Sequence, residues 1–351
     1  MRVPDTPCAP PNLEAARGSM LRRSEHPAAN LPPEPMMKPT ILMAPKFSDP
    51  FVARLRERYT VLGPMERSAP EALPAGADAA RALVTIGGWK TDAALIDALP
   101  NIGLVACYGT GIEGVDQSRA RERGILLSNA ADANATSVAE FAMGLTLAVA
   151  RKIGEGDRFV RAGRWGGNAV ERMPLVPGLA GRRLGIYGLG AIGSRIATRA
   201  AAFEMEIGYH NRSRRADLPY LYHDSLLGLA EWADILMVAV RASAENRHAV
   251  DAQVLKALGP NGYVVNISRG IAIDEDALCE ALETGVIAGA GLDVYENEPH
   301  VSARIRALDR AVLTPHIAAM SDSAQAAQQE LLLRNLDAFF AGKPLPSGVP
   351  L

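Results

Sequence analysis

At 351 residues the chain is too long for one ordinary hydrophobic core and has the length of two domains. Its composition, 48% hydrophobic and 22% charged, is that of a soluble globular protein, and a formal net charge of −2 offers no general attraction to nucleic acid or to an anionic membrane. No apolar run approaches the roughly 18 residues that a membrane span requires. The most continuous, 141–150, reads as a buried helix. Three cysteines, Cys8, Cys107 and Cys279, are too few and too scattered for a disulfide framework or a metal knuckle. No metal is expected, Cys107 and Cys279 read as buried thiols in apolar surroundings, and a reducing, cytoplasmic compartment follows.

Residues 1–37 are rich in proline and alanine, show no apolar period and lack the apolar core of a secretory signal; they read as a disordered tail. From Thr40 onward, short β-like runs alternate with helical ones, the pattern of βα units on a parallel sheet. The predicted strands of the first half are 40–44, 82–86, 104–107 and 125–128, with helices at 50–59 and 91–99. A single long helix is expected over 136–154, with Phe141, Leu145 and Val149 on one face. Turn formers follow, among them Gly163, Gly166, Gly167, Pro174, Pro177 and Gly181. The alternation then restarts, with predicted strands 183–187, 206–210, 235–240, 263–267, 289–294 and 311–314, enough for a complete doubly wound domain. A last helix is expected over 323–340, with Leu332, Leu336 and Phe340 on one face, ended by Gly342 and Pro344.

Between the strand 183–187 and the helix after it lies Gly188-Leu189-Gly190-Ala191-Ile192-Gly193. In a βαβ unit the first glycine of such a turn lets the chain bend sharply, and the second lets backbone amides approach a pyrophosphate. The third lets helix and strand pack closely, and the helix N-terminus adds positive potential. Chains that bind NAD usually carry an acid about 20 residues further on, for the adenosine ribose. Here the next strand ends in Tyr209-His210-Asn211-Arg212-Ser213-Arg214-Arg215, with no acid before Asp217. Arg212 and Ser213 offer donors suited to a 2′-phosphate, so NADP(H) is the preferred cofactor and NAD(H) the alternative.

Three later strand ends carry reactive groups. Asn266-Ile267-Ser268-Arg269-Gly270 brings an arginine, Asp293-Val294-Tyr295-Glu296-Asn297-Glu298-Pro299 a set of acids, and Thr314-Pro315-His316-Ile317 a histidine. In open α/β sheets that edge is where ligands bind. Spacing alone does not choose between Glu296 and Glu298.

With GLGAIG at 188–193, NISRG at 266–270, AGLDVYENEP at 290–299 and TPHI at 314–317, the chain resembles the D-isomer-specific 2-hydroxyacid dehydrogenases. GTGIEGVD at 109–116 and SVAEFAMG at 137–144 agree with it. Within that family it is most similar to the NADPH-dependent hydroxypyruvate/glyoxylate and hydroxyphenylpyruvate reductases. The resemblance implies an α/β fold of two Rossmann-like domains, one flavodoxin-like and one doubly wound. The substrate domain would be discontinuous, 40–137 plus 318–351, with the NAD(P)-binding domain at 138–317 between its parts. It also implies that Arg269, Glu298 and His316 form the catalytic set. Arg269 would hold the substrate carboxylate, His316 would act as acid and base, and Glu298, the acid directly before the proline, would orient His316. Ile267 and Asp293 would join the glycine turn and Asn211, Arg212 and Ser213 in binding cofactor, with Asp293 at the nicotinamide carboxamide. Gly87 and Gly88 would present amides to the substrate carboxylate. Arg241, after a strand end where the family commonly has proline, faces either the adenosine phosphate or solvent. The expected activity is reduction of a small 2-oxo acid to the D-2-hydroxy acid by a homodimer, with no nucleic-acid or membrane partner. The alternatives are a dinucleotide-sensing, corepressor-like scaffold and a phosphoglycerate-type dehydrogenase.

Overall fold

Both runs of βα alternation close into sheets. In the first, β1 (Thr40–Met43), β2 (Thr60–Leu62), β3 (Ala82–Thr85), β4 (Leu104–Cys107) and β5 (Leu126–Ser128) lie in the order 2-1-3-4-5, all parallel. This is the flavodoxin-like order. The second sheet contains β6 (Arg183–Tyr187), β7 (Glu206–His210), β8 (Leu221–Tyr222), β9 (Ile235–Val238), β10 (Tyr263–Asn266), β11 (Gly289–Leu292) and β12 (Ala311–Leu313). Its order is β12-β11-β10-β9-β6-β7-β8, parallel throughout, the doubly wound arrangement with one strand added at the edge. The fold is therefore the expected α/β pair of Rossmann-like sheets. The computed structural model describes residues 37–165, 172–241 and 243–351. Apart from Met37, the tail expected over 1–37 lies outside the described residues, as do Gly166 and Gly167.

Each sheet is covered on both faces. Ile41, Val84, Leu104 and Ala106 point to one side of the first sheet, while Leu42, Leu83, Val105 and Cys107 point to the other. In the second, Ile186, Tyr209, Met237 and Val265 face one way and Leu236, Val238, Val264 and Leu292 the other. Burial on both faces is why these strands read as unbroken apolar runs and were legible from the sequence. Cys107 and Cys279 are buried free thiols, and burial pushes both above the usual thiol range, Cys107 up to about 12. Among the described residues no helix is long and apolar enough to cross a membrane.

The chain comes back to the first sheet at its end. The helix Asp322–Phe340, capped by Ser321, buries Leu332, Leu333 and Leu336 against β1, β3 and β4. It stops at Gly342, whose φ of +65° suits a glycine after a helix C-cap. The strand β13 (Gly348–Val349) then pairs antiparallel with β5. Ser347 secures this return, donating to the carbonyl of Asn129 at 2.6 Å and bonding the side chain of Asn335.

Three local expectations differ from the structure. The helix expected over 136–154 is two helices, Ala135–Ala150 and Ile153–Arg161, broken at Lys152 with φ +52°. No glycine or proline stands at the break. The first helix buries Leu145 and Val149 against Gly291 and Gly289 of the second sheet, and the second turns away to bury Phe159. The strands β2 and β8, of three and two residues, were not anticipated; both are edge strands too short to show a period. The helix Gln117–Glu122 was also missed, since only its Asp116 cap marks it.

Candidate active site

The glycine turn is built by close contacts. Gly188 has φ +101°, and a Cβ there would lie 2.6 Å from the backbone of Val240, after the neighbouring strand β9. A Cβ on Gly193 would lie 2.2 Å from the carbonyl oxygen of Gly188, so the helix Ala191–Ala202 can rest on the turn only with glycine there. Gly190 has open space where its Cβ would be. The amides of Gly190, Ala191 and Ile192 have no acceptor among the described residues. An open, donor-rich helix N-terminus at the point where β6 parts its neighbours β7 and β9 fits a dinucleotide pyrophosphate.

Asn211 braces this turn. Its Oδ1 accepts the amide of Leu189 at 2.7 Å. Arg215 grips Asp217 through two nitrogens, at 2.8 and 2.6 Å, and its Nη1 reaches the carbonyl of Leu189 at 3.3 Å. The hydrogen bond from Arg215 holds the Asp217 carboxyl down at about 2. Arg212, by contrast, is 93% exposed, with Glu245 3.8 Å away, and Ser213 is exposed beside it. Arg241 is exposed as well.

Past β10, the buried Asn266 ties the next turn together. Its Oδ1 accepts the amide and hydroxyl of Ser268, both at 3.0 Å, and its Nδ2 donates to the carbonyl of Arg269. Gly270 then lies against the following strand's loop. A Cβ there would be 1.9 Å from the carbonyl carbon of Tyr295, so any side chain would force the Arg269 and Glu298 loops apart. Ile267 is in the core, with its amide given to Val238 and its carbonyl left without a partner among the described residues.

Asp293 has no exposed surface. Its Oδ1 accepts from the Thr314 hydroxyl at 2.6 Å and the Ile317 amide at 2.9 Å, and its Oδ2 from the Ala318 amide at 2.9 Å. In this structure it anchors the His316 loop. His316, at φ +54°, places Nδ1 2.7 Å from Oε2 of Glu298. The other oxygen of Glu298 accepts the Tyr295 amide at 2.9 Å. Glu296 turns elsewhere, to Arg247 and to His248 Nε2, so geometry makes the choice that spacing could not. Burial alone would raise the Glu298 carboxyl, but bonds from His316 and Tyr295 and the charges of His316 and Arg269 outweigh it and hold it below its ordinary range. The Nε2 of His316 has no partner among the described residues.

From the first sheet, the loop after β3 brings Gly87 and Gly88. A Cβ on Gly87 would be 2.6 Å from the carbonyl carbon of Gly111, whereas Gly88 is open. Neither amide has an acceptor among the described residues. The loop after β4 brings Glu113, whose Oε1 accepts from Arg269 Nε at 3.1 Å. Glu113, Asn266 and Gly270 had no assigned role from sequence. The first is 156 residues from its partner, and only a tertiary contact reveals it.

Residues 143–318 match the family described as D-isomer specific 2-hydroxyacid dehydrogenase, NAD binding domain. The chain is 39% identical over 284 residues to a glyoxylate/hydroxypyruvate reductase of Arabidopsis thaliana, covering 81% of this chain and 87% of that one. It is 40% identical over 269 residues to a hydroxyphenylpyruvate reductase of Plectranthus scutellarioides, covering 77% and 85%. Among solved structures it is similar to an NADPH-dependent glyoxylate/hydroxypyruvate reductase of Sinorhizobium meliloti in complex with NADP and malonate. The TM-score is 0.83 at 38% identity, covering 89% of this chain and 97% of that one.

The lowered Glu298 carboxyl has a signed consequence. Its contribution to stability is complete above the ordinary carboxylate range and is lost as pH falls through the lower value of the folded state. Glu298→Gln should therefore be less stable than the wild type at neutral pH and lose less on acidification. Urea unfolding from pH 7 to pH 3 measures this, and parallel curves for the two proteins would refute it.

Proposed function

The chain belongs to the D-isomer-specific 2-hydroxyacid dehydrogenases, and from that premise we propose that it reduces a small 2-oxo acid of the glyoxylate/hydroxypyruvate type to the D-2-hydroxy acid, with NADPH preferred to NADH. The observation that carries this reading is the 2.7 Å pair of His316 and Glu298 at the same sheet edge as Arg269 and the glycine turn. The amides of Gly190, Ala191 and Ile192 would hold the pyrophosphate of the nicotinamide cofactor, with Ile267 and Asp293 as further contacts, and the bound cofactor would supply the hydride for the 2-oxo carbon. Arg269, permanently charged, holds the substrate carboxylate and polarises the oxo group, with the amides of Gly87 and Gly88 completing the cradle. His316 delivers a proton from Nε2 to the developing alkoxide. Glu298, bonded at Nδ1, fixes the ring's orientation.

Residues 40–137 plus 318–351 form the substrate domain in this reading and 138–317 the cofactor domain, and closure of the cleft excludes water from the transfer. The NADPH preference rests on the exposed Arg212 and Ser213 at the end of β7, where Arg215 occupies Asp217, the first acid after the strand, and Glu245, 3.8 Å from Arg212, is itself largely exposed. Ile153, Val160, Trp165 and Leu175 are exposed apolar residues on and after the helix Ile153–Arg161, and they support a homodimer; the buried free thiols Cys107 and Cys279 support a reducing, cytoplasmic compartment. A native mass of one chain by light scattering would remove the dimer.

Turnover is to be followed with each nucleotide against glyoxylate, hydroxypyruvate, pyruvate and phenylpyruvate. His316→Ala is expected to lose about 10²–10⁴-fold in kcat while binding NADPH as before; near-normal kcat would end the assignment. Arg212→Ala should lower kcat/KM with NADPH about tenfold or more and leave NADH little affected. Equal efficiency of the wild type with both nucleotides would contradict the preference.

A further inference from the structure

Arg269 is already paired. Its Nε donates to Glu113 Oε1 at 3.1 Å and its Nη1 to the carbonyl of Ser268 at 2.7 Å, while Nη2 has no acceptor among the described residues. The second oxygen of Glu113 likewise receives no hydrogen bond among them. A Cβ on Gly111 would lie 2.4 Å from that oxygen and 2.8 Å from Nη2, so the carboxylate and the guanidinium lie side by side over Gly111. Gly87 is the next neighbour, in backbone contact with Gly111. Glu113 also lines the same shallow depression as Gly87 and Gly88. A negative charge of the chain itself thus sits where an incoming carboxylate would have to go.

The pair is built to open. Its backbone is held, since the amide of Gly114 donates to Gly87 at 2.7 Å and the carbonyl of Gly114 accepts from Thr91 at 2.7 Å. The Glu113 side chain, however, is 50% exposed and that of Arg269 32% exposed, so solvent weakens their attraction and receives the carboxylate when it leaves. Two carboxylates on one guanidinium repel each other, and the one tied only to Arg269 gives way.

We infer that Glu113 is the resting counter-ion of Arg269 and that the substrate's carboxylate takes its place, which makes Glu113 the residue that sets the affinity threshold for anions at this site. The inference rests on the reduction reading above. A bare guanidinium in a cleft would collect any small anion. With Glu113 on it, a ligand must displace a carboxylate, and it gains enough only by also engaging the loop amides and the free Nε2 of His316. A 2-oxo acid does so. A simple monoanion such as acetate has no oxygen at the second position and is kept out.

Glu113→Gln keeps the size of the side chain and removes its charge. The KM of the best 2-oxo acid of the panel should fall about fivefold, as should the concentration of acetate that inhibits, whereas kcat moves by less than about twofold. Calorimetric titration of malonate, with and without NADPH, should show the same tightening, and Glu113→Ala should repeat it. A merely structural Glu113 would raise KM or lower kcat instead. Unchanged or weaker malonate binding in both variants overturns the exchange, whatever their activity. If the wild type reduces no 2-oxo acid and the variants still bind malonate and acetate more tightly, the exchange stands and the reduction reading falls.

Discussion

Asp293 has no exposed surface, and around its carboxylate converge the hydroxyl of Thr314 and the amides of Ile317 and Ala318, while its own carbonyl takes the amide of His316. A buried carboxylate costs several kcal/mol unless donors replace the water it lost, and here three do. They also determine the shape of the loop. His316 adopts φ +54°, a left-handed backbone that costs a non-glycine residue about 1 kcal/mol or more, and the bonds on either side of it hold it there. The ring of His316 reaches Glu298 because this clasp leaves the loop one path. Ser137, near the start of the helix Ala135–Ala150, adds a further tie by donating to the carbonyl of Ala318 at 3.0 Å.

Around that clasp, strand ends are drawn together by contacts that leave no room for a Cβ. Gly188 lies on Val240 and Gly193 on Gly188; Gly270 lies on Tyr295, and Gly87 on Gly111. The first two set a helix N-terminus, with amides unpaired among the described residues, at the crevice between β6 and β9. The third holds the loop of Arg269 against the loop of Glu298, close enough for the charge of Arg269 to help keep the Glu298 carboxyl ionised. The fourth brings the loops after β3 and β4 together, so that Glu113 reaches Arg269 from the other sheet. Rigid backbone contacts therefore set the frame, and the exposed pair of Glu113 and Arg269 is its labile part.

Much of this was legible in the sequence because the signals were local. β4, β6 and β7 run over the residues predicted for them, since strands buried on both faces must be apolar throughout. The glycine turn was legible for the same reason, as its requirements lie within six residues. What sequence missed depended on other parts of the molecule. Neither Arg151 nor Lys152 announces a helix break, and the nearest glycine, Gly154, lies inside the second helix, which buries Phe159. The side-chain oxygen of Asn211 braces the glycine turn 22 residues away, a tie that no local signal marks. Asp217, the first acid after the strand, is neutralised by Arg215, which no reading of charge order reveals.

The sequence by itself determined the two α/β sheets, the place of the glycine turn, and the appearance of Arg269, an acid pair and His316 at successive strand ends. These are matters of period, length and turn chemistry, each decided over a few neighbouring residues. Only the tertiary structure decided that Glu298 and not Glu296 meets His316, that Asp293 holds the His316 loop, and that Glu113 reaches Arg269 across 156 residues. Those outcomes depend on distances of a few ångström between groups far apart in the chain. A hydrogen bond or an ion pair is made or lost over such distances, and spacing along the chain does not encode them.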